Sequence, residues 1–146
     1  MEDNYPRTGL RIRVMKDINP EVRTEFILLV KWLRIQMDFP IRVVVYLKPD
    51  YRIKNKFTKE LVTATFFAPY THEEEPYIRV ATGDYDELLN DIGRDKALAL
   101  LLHSLAHEII HYKQWLKDPM CEFSEEEANL KADNLIDEYA DIEEHF

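Results

Sequence analysis

ALALLLHSLAHEIIHYKQWL, residues 97–116, decides how this chain folds. Apolar residues recur through it at helical spacing, and the run ALALLL is too short to span a bilayer. It reads as a buried helix from Asp95 to about Leu116, stopped by Pro119. His103, His107 and His111 follow one another along it at four-residue intervals. Residues four apart stack on one helix face, one turn above the other. The helix therefore carries a column of imidazoles along one side.

Upstream, Asn19 followed by Pro20 has the form of an N-cap and a first helical residue. Val22, Phe26, Leu29, Val30, Leu33 and Met37 then recur at helical spacing, so 20–38 is read as an amphipathic helix ended by Pro40. IRVVVYL (41–47), LVTATFF (61–67) and YIRVA (77–81) are rich in β-branched and aromatic residues and read as strands. RIRVM (11–15) is compatible with a further short strand. Gly83 and Asp84 start a short helical turn through Leu89, and Gly93 interrupts it. Beyond Pro119 a last helix runs to about Glu144. The expected fold is α+β and a single domain, 1–146: an N-terminal helix, a small three-stranded sheet, the histidine helix and a C-terminal glutamate helix.

The net charge of −9 is unevenly placed. Cys121 to Phe146 holds ten acidic residues and one lysine, and the rest of the chain is balanced. No basic stripe remains for DNA or RNA, so nucleic acid is not an expected partner. Nor is a membrane. One cysteine, Cys121, excludes an internal disulfide and fits a reducing compartment. The opening MEDNYPRTGLRIR is charged and broken by Pro6 and Gly9, unlike a signal peptide. A cytoplasmic monomer is the expectation.

His107-Glu108-Ile109-Ile110-His111 is an HExxH motif. With these residue frequencies an accidental copy is expected only about 0.02 times. Two imidazoles one turn apart can share a metal ion at about 2.0–2.1 Å. Glu108 is too close in sequence to His107 to be the third ligand; the motif aims it at a metal-held water as general base. Zinc suits imidazole plus carboxylate and leaves a position open. His103 and His111 are about 12 Å apart along the axis, so the three histidines cannot share one ion. His103 is read as core packing or cleft lining.

Catalytic zinc takes three protein ligands. Glu122, Glu125, Glu126 and Glu127 stand near the start of the last helix. Ala128, Ala132, Leu135, Ile136, Tyr139 and Ile142 define its apolar face. Glu125 falls about 50° from the centre of that face, and the other three fall beyond about 100°. An inward carboxylate is costly unless paired or metal-bound, which selects Glu125 as third ligand. Ser124 and Glu127 have the spacing of a capping box. Trp32 and Trp115 are read as packing, and Cys121 as a free residue in the turn between the two helices.

HEIIH, then 13 residues, then EEEANLKA resembles the gluzincin zinc metallopeptidases. Glu125, Ala128, Asn129 and Ala132 match the glutamate-helix pattern of their small members, the minigluzincins, and the motif is close to that of ImmA/IrrE-type regulatory peptidases. The match covers about residues 107–132. The resemblance implies hydrolysis of peptide or protein substrates, with zinc on His107, His111 and Glu125. It also implies that Asn129 supports a zinc-binding histidine, and that strand 77–81 borders the cleft and pairs with an extended peptide. Tyr70, His72, Tyr77 and Tyr112 are candidates for stabilising an oxyanion. The competing readings are a zinc-holding regulatory module with little or no hydrolysis, and a metal-free structural domain.

Overall fold

The computed structural model describes residues 7–143. The chain runs β1 (Leu10–Val14), α1 (Pro20–Gln36), β2 (Val43–Lys48), β3 (Ile53–Lys54), β4 (Leu61–Val62), β5 (Ala64–Phe67), β6 (Tyr77–Ala81), α2 (Tyr85–Ile92), α3 (Arg94–Lys117) and α4 (Glu125–Glu143). The architecture is α+β, as expected, but the main sheet has four strands, in the order β1-β2-β6-β5. The N-terminal segment supplies the extra one. β1 and β2 are parallel, β2 and β6 are parallel, and β5 runs antiparallel to β6.

Register aligns one apolar face across all four strands. Leu10, Ile12 and Val14 sit opposite Val43, Val45 and Leu47. Val45 and Leu47 sit opposite Ile78 and Val80, and these face Phe66 and Ala64. Side chains two apart along a strand share a face, so these positions form one layer. They pack with Phe26, Leu29 and Leu33 of α1 and with Leu98, Leu102, Leu105 and Ile109 of α3. α3 is buried on several sides because the sheet, α1, α2 and α4 all pack on it.

The caps are largely those read from the sequence. Asn19 Oδ1 accepts from the Glu21 and Val22 N–H groups at 2.8 and 3.3 Å, holding the start of α1. Gly93, at φ 86°, separates α2 from α3 in the left-handed region that glycine tolerates. No helix among the described residues is long and apolar enough to cross a membrane.

Two expectations change. LVTATFF is not one strand: Leu61–Val62 pairs with Ile53–Lys54 in a separate hairpin, and Ala64–Phe67 pairs with β6. The β-branched run has no residue that announces the break at Thr63. Second, β6 does not offer an edge to a peptide. It lies between β2 and β5, so both of its edges are occupied. The edge strands are β1 and β5, and of these β5 lines the cleft.

The turn from β6 into α2 presses against the connection after β2. A Cβ on Gly83 would lie 2.6 Å from the Pro49 carbonyl oxygen and 2.7 Å from the Tyr51 nitrogen. Both neighbours are backbone, so Gly83→Ala should cost about 1–3 kcal/mol, read as a lower urea midpoint. An unchanged midpoint would show that the 49–51 backbone yields without cost.

Candidate metal centre

α3 brings His103, Ser104, His107, Glu108 and His111 to one wall of a cleft of about 490 Å³. The opposite walls come from Val62 to Phe66, from Phe123, and from Glu125 and Asn129 at the start of α4. Three donor atoms converge there. His107 Nε2 lies 2.8 Å from Glu125 Oε1, His111 Nε2 lies 3.1 Å from the same oxygen, and the two ring nitrogens are 3.1 Å apart. His107, His111 and Glu125 thus form a group that can hold a metal ion. A tetrahedral ion with bonds of about 2.0–2.1 Å holds its ligands roughly 3.3 Å apart, close to this triangle. Two imidazoles and one carboxylate leave a fourth position open toward the cleft, so the donor set fits zinc.

The third member arrives by a different route from the one its periodicity suggested. Ala128, Ala132, Ile136 and Tyr139 are buried, as that face requires, whereas Ile142 is exposed. Glu125 reaches both rings, yet 67 % of its side chain remains exposed. It lines the open cleft at the first turn of α4 and is not packed into the core. Burial raises its pKa, but His111 and His107 outweigh that and hold the carboxyl below its usual value.

Glu108 differs from Glu125. It is buried, on the same cleft wall. Burial, with the Glu125 carboxylate adding to it, pushes its carboxyl up to about 8. A cation at the triangle would act in the opposite direction.

Gln114 is the residue that sequence reasoning missed. Its Oε1 lies 2.8 Å from His111 Nδ1, and its Nε2 donates to the Ser124 carbonyl at 3.1 Å and to Glu127 Oε1 at 2.7 Å. Positions three apart on a helix are neighbours, so His111 and Gln114 carried a local signal. Their link to α4 did not. The expected capping box is half formed: Ser124 Oγ accepts from the Glu127 N–H at 3.0 Å, while the Glu127 carboxylate bonds to Gln114.

Asn129 lines the cleft but makes no hydrogen bond to either ring among the described residues. His103 also lines it, with Nε2 2.7 Å from Asp133 Oδ1. Cys121 is free and stands outside the cleft lining, its Sγ 3.7 Å from the Gln114 carbonyl.

None of the four residues considered for an oxyanion borders the cleft. The Tyr112 hydroxyl donates to the Ile41 carbonyl. Tyr77 accepts from Lys56 Nζ at 2.8 Å. His72 Nε2 is 2.8 Å from the Trp115 carbonyl, and Tyr70 is exposed. The polar side chains that do border the cleft, besides the triangle and Glu108, are Asn55, Thr63, Thr65, His103, Ser104 and Asn129.

Compared with known protein families, curated proteins and solved structures, the chain matches none.

Proposed function

We propose that this chain is a small zinc-dependent endopeptidase, working as a cytoplasmic monomer on peptide or unstructured protein. The observation that carries the reading is the triangle of His107 Nε2, His111 Nε2 and Glu125 Oε1, with sides of 2.8 to 3.1 Å and Glu108 on the same cleft wall. His107, His111 and Glu125 would hold the zinc ion, which would supply Lewis acidity and a nucleophilic water near neutral pH. Glu108 takes the proton of the attacking water and returns it to the leaving amine.

The edge of β5 supports a peptide substrate. Thr63, Thr65 and Thr65's neighbour-but-one Phe67 turn their backbone groups toward β6, judged from the Ala81 N–H bond to the Thr63 carbonyl at 2.8 Å and the antiparallel register. The alternation leaves the N–H and C=O groups of Ala64 and Phe66 on the outer edge. Both residues line the cleft, so an extended chain can add there as a further strand. The resemblance to gluzincins implies that Asn129 supports a histidine, but among the described residues Asn129 lines the cleft without a hydrogen bond to either ring, and Gln114 is the side chain that meets His111 Nδ1.

Purified protein is expected to hold a single zinc ion per chain by mass spectrometry of the metal, and His107→Ala to lose it while keeping its circular dichroism spectrum. Chelator-treated protein should stop cleaving an unfolded test protein and recover on zinc addition. A folded wild type that takes up no metal ends the reading. Zinc uptake without cleavage of any unfolded protein would instead favour a zinc-holding regulatory module.

A further inference from the structure

Gln114 is buried where α3 meets the start of α4, and each of its side-chain polar atoms is engaged. The chemistry of its partners orients the amide. Nε2 faces a carbonyl oxygen and a carboxylate oxygen, which accept only, so the NH2 group must be on that side. Oε1 then faces His111 Nδ1, and this ring nitrogen must carry the proton. In the neutral ring this leaves the lone pair of His111 on Nε2, the atom directed at His107 and Glu125. The same amide holds the start of α4 through Ser124, the residue just before it, and through Glu127, on either side of Glu125.

We propose that Gln114 is a positioning residue that couples the two ligand-bearing helices, setting the His111 tautomer and the placement of Glu125 together. This rests on the metal-centre reading above. Gln114 touches neither substrate nor ion; it acts through His111 and the first turn of α4. Groups that orient a metal-binding histidine typically change metal affinity by about 10–100-fold when removed.

The test combines zinc affinity, by competition with a chromophoric chelator, with the His111 tautomer in metal-free protein, by nitrogen-15 NMR at a pH high enough for the ring to be neutral. Wild type is expected to show the Nδ1–H form. Gln114→Leu should mix the tautomers and weaken zinc binding about 10–100-fold. Gln114→Glu keeps an acceptor for the ring but sets a carboxylate against Glu127 and the Ser124 carbonyl, so Nδ1–H should persist while zinc binding weakens. Gln114→Glu with Glu127→Gln restores a donor–acceptor pair between these two side chains but not the bond to the Ser124 carbonyl, so it should recover part of the affinity that Gln114→Glu alone loses.

If Gln114→Leu does not fold, the single and swapped carboxylate variants decide the matter. Unchanged tautomer and affinity in Gln114→Leu would overturn the proposal, as would a swapped pair no better than Gln114→Glu alone. If wild type binds no zinc, the metal reading fails separately. The tautomer still decides: a Gln114-dependent Nδ1–H form supports the coupling, and an indifferent one removes it.

Discussion

Glu108→Gln should lower kcat for cleavage of an unfolded protein by about 10²–10⁴-fold and leave zinc affinity within a few-fold of wild type. That loss corresponds to roughly 3–5.5 kcal/mol of transition-state stabilisation. The substitution preserves the shape of a buried side chain and removes only its capacity to take a proton. Burial pushes this carboxyl up to about 8 in the metal-free protein, and a cation at the triangle would draw it back toward the carboxylate form that can accept a proton. Glu108 is absent from the set of converging donor atoms, so metal content should not follow its loss. Glu125→Gln should do the reverse: zinc binding weakens, because the oxygen that meets both rings loses its charge. The informative comparison is therefore kcat at saturating zinc beside the zinc dissociation constant. If Glu108→Gln retains more than about a tenth of wild-type kcat, the group is not the general base.

The parts of this site that were legible in the sequence are those set by one helix at a time. His107 and His111 are four apart, and helical geometry alone puts their rings on one side. The choice of Glu125 among four glutamates followed from the apolar face of α4, since Ala128 and Ala132 fix which way the helix turns toward α3. Features that depend on two elements meeting were not legible. Glu125 remains exposed because of where α4 crosses α3, a quantity with no counterpart in periodicity. Gln114 reads as an ordinary polar helix residue until Ser124 and Glu127 arrive beside it. The sheet teaches the same lesson. β2 was recognisable from its β-branched run, but the order β1-β2-β6-β5 is decided by pairings between distant segments. That order puts Ala64–Phe67, and not Tyr77–Ala81, at the sheet edge beside the cleft.

Trp115→Ala is expected to cost about 3–5 kcal/mol, a large part of the roughly 5–15 kcal/mol that typically holds a domain folded. Trp115 is fully buried one helical turn beyond His111. Its indole Nε1–H donates to the Pro69 carbonyl at 2.7 Å, and its own carbonyl meets His72 Nε2 at 2.8 Å. Both contacts hold the connection between β5 and β6 against α3. Its ring also packs edge-on against Phe66 of β5, with centroids 6.2 Å apart. Removing the indole therefore leaves a cavity, unpairs a buried carbonyl and loosens the strand that borders the cleft. Trp115→Phe keeps most of the ring and loses only the bond to Pro69, so about 1–3 kcal/mol is expected there. Urea denaturation of the metal-free protein separates the two variants, since zinc would stabilise the folded state by mass action and mask part of the loss. A Trp115→Ala loss below about 1 kcal/mol would mean that the site collapses around the missing ring, and that the 68–76 connection is anchored elsewhere.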